Sequence, residues 1–467
     1  MSKGRNKYLF KNTVIFGIGN FATKFITFFL VPLYTYTLTT EEYGEADLVF
    51  AICSFLYPLI TLNIAEAIFR FSMDKDENKD KIISNGVICF LGAVIVGAVI
   101  SVPFFFMPEY RELIPLFYLY LITLSATQII LALLKGQEKL KLFTIGNIVN
   151  TVLIALCSVI FLLVMHTGIR GYFWAYIIGN VITTLFLVIF GKIFKGVKFS
   201  LDKKYFLKMT KYSVVLIPTS FMWWIMNSSD KAMISSFIST SANGIYAVSY
   251  KIPSLLTVIA TVFNQAWVFS AVSGKDEKDN AAYTNRVFST LLGTLCLVTV
   301  VISAVVKPLT KLLVAEEFVD AWTYTPILLF GFVFMTLATF ISASYNAHKD
   351  SKGFLFSGSA GAIANILLNL ALMPFLGVFG AAIATTLSYI AVFIYRIFDT
   401  KKYLKIIVNK RHILTLIVAM GACVTTYVSN NLIAYLLFAI ETLLVLLLVK
   451  NDIKNVFSII RGKWRER

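Results

Sequence analysis

Apolar runs of about twenty residues, broken by short polar connections, recur along the whole chain. Fourteen can be marked: roughly 13–38, 44–69, 82–106, 113–134, 142–165, 172–191, 212–237, 242–272, 287–306, 324–346, 354–375, 378–398, 412–429 and 432–449. A bilayer core about 30 Å thick needs about 20 apolar residues per helix, so each run is long enough to span. The strict alternation of a transmembrane barrel strand is missing from them. The pattern predicts an all-α polytopic membrane protein of about fourteen transmembrane helices.

Composition agrees. Hydrophobic residues make up 58% of the 467 and charged residues only 14%, against about 45–50% and about 25% in soluble domains. The basic start MSKGRNKYLFKN resembles a signal peptide, but the apolar run behind it is too long for one and no small-residue cleavage site follows. It is read as a retained first span.

The net charge of +17 invites a nucleic-acid reading, which its distribution argues against. With the N-terminus inside, the inner connections, both tails and the inner end of the 378–398 span hold 35 of the 42 Lys and Arg. The outer connections hold Arg111, Arg170, Lys307 and Lys311, and Lys24, Lys231 and Lys251 lie within spans. This is the positive-inside asymmetry, so most of the charge sets orientation. The expected placement is multi-pass in the cytoplasmic membrane with both termini cytoplasmic. The five cysteines all fall within spans and suggest neither a disulfide framework nor a zinc site.

Three landmarks repeat in order. KDENKD at 75–80 returns as KDEKDN at 275–280; EEYGEADL at 41–48 and SANGIYAV at 241–248 place Gly44 and Gly244 at the same 200-residue offset; TGIRG at 167–171 matches LGVFG at 376–380. Each repeat holds six helices, so both enter from one side and the repeats are parallel, a design that puts the substrate path between halves. The expected organisation is an N-lobe at 1–198, a C-lobe at 199–400, and two further helices with a basic tail at 401–467. The join at 192–211 mixes lysines with Phe194, Phe199, Phe206 and Leu207, a composition suited to the inner membrane surface.

Ionisable residues within spans are costly and normally face a cavity or a partner. Glu66 and Arg70, four apart with the acid first, read as a structural ion pair. Arg396 reads as snorkelling to the inner surface, and Asp47 as solvated near the outer one. Adjacent helical residues point about 100° apart, so Asp230 and Lys231 cannot pair with each other. Asp230 with Lys251 is expected either as a structural clamp or as a binding group. Lys24 lies about ten residues from either end of its apolar run, too deep for easy snorkelling. Asn20, Lys24 and Thr27 share one helix face; Ser220, Asn227 and Lys231 share another; Tyr250, Ser254, Thr257, Thr261 and Asn264 form a third. Such stripes can serve helix–helix hydrogen bonding alone, but the buried lysine favours a hydrated cavity receiving an anionic substrate.

Local text then carries a resemblance. LIPTSFMWWIMNSSDKAMIS at 216–235, GIYAVSYKIPSLL at 244–256, FNQAW at 263–267 and VPLYTYTLTTEEYGEADL at 31–48 resemble the polysaccharide branch (O-unit or capsule-repeat flippases) of the multidrug/oligosaccharidyl-lipid/polysaccharide exporter superfamily. The resemblance covers about residues 10–400 and implies two MATE-like lobes around a central cavity with alternating access. It implies translocation of a polyprenyl-diphosphate-linked oligosaccharide from the inner to the outer leaflet for surface polysaccharide such as capsule or O-antigen. Lys24, Lys231 and Lys251 would receive the diphosphate or acidic sugars, with Arg70 at the inner mouth, Asn20 and Asn227 alongside, and Asp230 and Glu66 structural or coupling. The implied partners are the lipid-linked oligosaccharide, membrane lipids and a polysaccharide polymerase, with no cofactor. Coupling to a proton or sodium gradient stays open. Lipid II flippase and ion-coupled multidrug antiporter are the alternatives, the second weakened by a first span that carries a lysine and no acid. A membrane glycosyltransferase or polymerase is disfavoured. The largest outer connection, about 307–323, is short, and His166, His348 and His412 are scattered.

Overall fold

The computed structural model describes residues 3–74, 76–107, 111–200, 202–259, 277–348, 350–428 and 431–465. Its regular elements there are all helical. They are α1 (Lys3–Thr37), α2 (Thr40–Ile60), α3 (Ile64–Ser72), α4 (Lys79–Phe105), α5 (Ile114–Gly136), α6 (Leu140–Ser158), which continues as a π-helical turn Val159–Val164, α7 (Gly168–Gly191), α8 (Lys203–Val214), α9 (Ile217–Phe237), α10 (Thr240–Ser249), α11 (Lys251–Ser254), α12 (Glu277–Leu313), α13 (Ala321–Ala347), α14 (Ser351–Leu376), α15 (Val378–Asp399), α16 (Lys410–Thr425) and α17 (Asn431–Arg465). Among the described residues, ten helical stretches are long and apolar enough to cross a membrane.

The apolar pattern located these helices but not their breaks. The expected span 44–69 divides at Thr61–Asn63, where Leu62 and Asn63 adopt left-handed φ of 52° and 53°. Pro58, inside α2, has no N–H to donate and starts the loss of helical bonding. The expected span 212–237 divides between α8 and α9, just before Pro218 in the first turn of α9. Part of the KDEKDN connection, FNQAW, Thr261 and Asn264 lie outside the described residues.

Contacts divide the chain into two compact units. One comprises Lys11–Gly244 and the other Ile245–Arg467 with Met1–Phe10. Packing thus groups α8 and α9 with the helices before them, although the repeat boundary expected from sequence lies at 198/199.

In the 11–244 unit, a core of Ile64, Ile68, Ile82, Leu134, Leu187 and Met209 joins α3, α4, α5, α7 and α8. The basic join is therefore not simply a surface strand. Met209 is fully buried, Ser213 Oγ donates to Leu62 O at 2.7 Å, and Tyr205 Oη donates to Glu77 at 2.7 Å. Lys81 pairs with Asp202, the α8 N-cap, at 2.6 Å. Leu207, Lys203, Lys204 and Lys211 stay exposed on the other side of α8.

In the 245–467 unit, α14 and α15 are linked by Asn365, whose Nδ2 lies 3.3 Å from Thr385 Oγ1. Ser289 on α12 bonds both His412 on α16 and Asp452 on α17, at 2.9 and 3.0 Å. Arg396 overturns its sequence reading. It is 2% exposed rather than snorkelling. Its Nε donates to Ser357 Oγ at 3.1 Å, its Nη1 donates to Ala338 O at 2.8 Å, and its guanidinium lies 5.4 Å from the Phe354 ring centre. Two neighbouring helices, α13 and α14, supply these partners, which a single-helix reading could not see.

Candidate functional site

The seam between α2 and α9 carries Asp47, Ser220 and Lys231 from the polar residues singled out above. Its start is defined by a capping box. The Thr39 side chain accepts from Glu42 N at 3.1 Å and Glu42 accepts from Thr39 N at 3.0 Å. One turn in, Gly44 meets the start of α10. A Cβ on Gly44 would lie 1.9 Å from Thr240 O, and a Cβ on Gly244 would lie 2.0 Å from Thr40 O. Thr40 Oγ1 is 2.6 Å from Ser241 Oγ, and Asn243 Nδ2 donates to Gly44 O at 2.9 Å. The contact is reciprocal. Each repeat's glycine fits against the other repeat's threonine carbonyl, which explains why both glycines occupy the same place in their repeats. No other residue type lacks the Cβ that would collide there.

Further along, Lys231 Nζ lies 3.0 Å from both Asp47 oxygens, with side chains 17% and 14% exposed. Asp47 is therefore not solvated, and Lys231 is held in an ion pair rather than presented as a lone cation. Trp224 Nε1 donates to Ala51 O at 2.6 Å, and Phe55 stacks obliquely on Trp224 with ring centres 4.8 Å apart. Asn63 Nδ2 reaches Ser220 Oγ at 3.5 Å. The order 47, 51, 55, 63 against 231, 224, 220 is that of two antiparallel helices joined along their length. Asn227 donates to Trp223 O at 2.7 Å within its own helix.

α1 is anchored by one end. Leu30, Val31, Tyr34, Thr35 and Leu38 are buried, whereas Phe21, Lys24, Phe25 and Phe29 are exposed. Pro32 lies within the buried stretch. The anchor is an aromatic group that the sequence reading missed. Tyr34 packs edge-on to Tyr172 with centres 4.6 Å apart, and Phe50 contacts Tyr120 and Tyr176 at 4.6 Å each. The run of tyrosines at 31–43 and 172–176 was the only signal for it. The side chain of Asn20 lies outside the described detail.

Glu66 and Arg70 do not form the expected ion pair. Both are exposed on the nine-residue α3, and among the described residues no ion pair joins them. The other side of α3 carries Ala67 and Ile68, which turn into the core. Asp230 is 1% exposed and its Oδ1 accepts the Lys231 backbone N–H at 2.9 Å. Asp230 and Lys251 belong to different units.

No curated protein sequence matches this chain. Among solved structures, it is similar to "Lipid II flippase MurJ, inward closed conformation", with TM-score 0.73 and 15% identity over 95% of this chain and 100% of that one. It is similar to the inward-facing conformation of a multidrug resistance MATE family transporter of the MOP superfamily, with TM-score 0.60 and 13% identity over 81% of this chain and 95% of that one. An outward-facing conformation of such a transporter gives 0.54 and 13% over 85% and 95%. At these identities the likeness establishes the fold, and it agrees with the helical MATE-like architecture read from the sequence. The family described as "Polysaccharide biosynthesis protein" matches over residues 9–273, more than half of the chain, and the protein belongs to that family.

Proposed function

We propose that this protein is a flippase that moves a polyprenyl-diphosphate-linked oligosaccharide from the inner to the outer leaflet of the cytoplasmic membrane, by alternating access, for surface polysaccharide export. Family membership, the MATE-like fold and the likeness to a lipid II flippase support a transporter rather than an enzyme. The observation that carries the anionic substrate is Lys24, exposed within the apolar run 13–38 beside the exposed Phe21, Phe25 and Phe29. A cation among apolar rings suits a phosphate attached to a long hydrocarbon. Lys231 is less suited to that task, because Asp47 already neutralises it. Lys251, Arg70 and Asn227 remain candidates along the path, with Asp230 and Glu66 in structural or coupling roles. The Gly44–Gly244 crossing belongs to the ends of α2 and α10 expected to face outside, where its separation would open the path. A second reading, transport of lipid II, is favoured by the 0.73 TM-score to a protein of that description.

The test is complementation. Strains lacking an oligosaccharide flippase, each making one defined repeat unit, are compared with a strain depleted of its lipid II flippase. Rescue of surface glycan in the first set supports the proposal, and rescue only of the second strain replaces it with lipid II. Within a rescued strain, Lys24→Ala should insert normally and lose most surface glycan, with Lys24→Arg intermediate. Wild-type transport by Lys24→Ala would remove Lys24 from the substrate path.

A further inference from the structure

One site in the 11–244 unit is used by nothing above. An apolar groove of about 280 Å³ runs between α4, α5 and α7, walled by residues such as Val87, Phe90, Ile130, Leu185 and Val188. Leu185 and Phe194 at its edge are exposed. It continues through Ile83 and Ile193, which line both spaces, into a polar recess of about 560 Å³. The recess is bordered by Lys79, Lys139, Lys192 and Lys195.

Three acids, Asp74, Asp80 and Glu138, also border it. Among the described residues none of them is in an ion pair with any of the four lysines, although ion pairs form elsewhere at this end of the unit, as between Lys81 and Asp202. Lys139 places Nζ 2.9 Å from Gly191 O, which ties the 136–139 turn to the end of α7 and uses one of its three protons. Burial and the nearby Lys79 charge push the Lys139 ammonium below its ordinary pKa, so an added negative group would relieve the site.

We propose that this composite site binds an anionic phospholipid, its phosphate held by Lys139, Lys192 and the adjacent lysines and one acyl chain in the groove between α4, α5 and α7. Charge alone would attract any anion, but a charged recess opening into an apolar groove selects an anion that carries hydrocarbon. The connections that form the recess are among those expected to face inside, which makes the inner leaflet the source. The site is independent of what the protein transports, and so is its test.

The full chain, purified in a neutral detergent, is titrated with phosphatidylglycerol, phosphatidylcholine and inorganic phosphate, and bound lipid is counted by native mass spectrometry. Phosphatidylglycerol should bind in preference to phosphatidylcholine, and inorganic phosphate should not displace it. The double variant Lys139→Gln/Lys192→Gln should weaken binding about thirtyfold, since a lysine beside an anionic lipid surface contributes about 1 kcal/mol. Val87→Trp should fill the groove and lower lipid occupancy while leaving all four lysines in place. Equal competition by inorganic phosphate would overturn the lipid reading in favour of a bare anion site. Unchanged binding in both variants would overturn the location.

Discussion

The reciprocal contact between Gly44 and Gly244 makes a prediction that can be worked from distances. In Gly44→Ala the new Cβ would stand 1.9 Å from Thr240 O and 2.8 Å from Gly244 N, both backbone atoms that cannot rotate away. Ordinary contact begins at 3.4 Å, so the starts of α2 and α10 must part by about 1.5 Å, the difference between 3.4 and 1.9. The Thr40–Ser241 bond at 2.6 Å and the Asn243–Gly44 bond at 2.9 Å would both stretch beyond hydrogen-bonding range. Each such bond contributes about 0.5–1.5 kcal/mol net. The joined arrangement should therefore lose about 1–3 kcal/mol relative to a separated one, a population shift of roughly 5- to 150-fold. Gly244→Ala should do the same from the other side through Thr40 O. The double variant should cost less than the sum of the singles, because one displacement relieves both collisions. The assay is disulfide formation between Thr40→Cys and Ser241→Cys in a background whose five native cysteines are replaced. The pair should oxidise readily with both glycines present and much more slowly with either alanine. Oxidation at an unchanged rate in Gly44→Ala would mean that the helices do not need this approach, and the reasoning would fail.

Other outcomes follow from the same distances. Asp47→Asn or Lys231→Met alone should destabilise the protein by roughly 1–3 kcal/mol, less than a fully buried pair because both side chains keep some exposure, and the double variant should recover much of this in a thermal melt. Arg396→Lys should lower stability by about 1.5–3 kcal/mol, since an ammonium cannot hold both Ser357 Oγ and Ala338 O in the geometry of the guanidinium; an unchanged melting temperature would contradict the buried position. Asp350, the N-cap of α14, has its carboxyl held down at about 2, first by the Gly353 backbone N–H and then by Lys402 and Tyr403. A depressed carboxyl stabilises the fold above its unfolded pKa of about 3.9 and loses that contribution as the pH falls towards 2. Melting temperature should drop across that window in the wild type and less steeply in Asp350→Asn.

How much was legible beforehand depends on whether a feature belongs to one helix or to several. Apolar runs located most of the helices, because burying a backbone in a bilayer demands about twenty apolar residues whatever the neighbours are. The 200-residue offset of Gly44 and Gly244 marked a repeat, and the text around 216–256 pointed to the family that the match over 9–273 established. Lys24 stood out because one charge in an apolar run is visible from the sequence of a single helix. The break at Thr61–Asn63 was not legible, since its two left-handed residues are a leucine and an asparagine rather than glycines.

Pairings were beyond reach for a different reason. Helical periodicity states which residues share a face and is silent on which faces meet. Asp47 and Lys231 are 184 positions apart, and Asn243 and Gly44 are 199 apart. Arg396 takes partners from two helices 39 and 58 positions away. The same sequence features therefore acquired different meanings once packed. A glycine offset became a reciprocal backbone contact, a candidate substrate lysine became half of an ion pair, and a surface arginine became a buried one. The sequence by itself determined the all-helical, membrane-spanning class and the family, because these follow from local composition and order. The tertiary structure alone decided which charges are neutralised and where two helices need to touch without side chains between them, because those depend on atoms far apart in the chain arriving within a few ångströms.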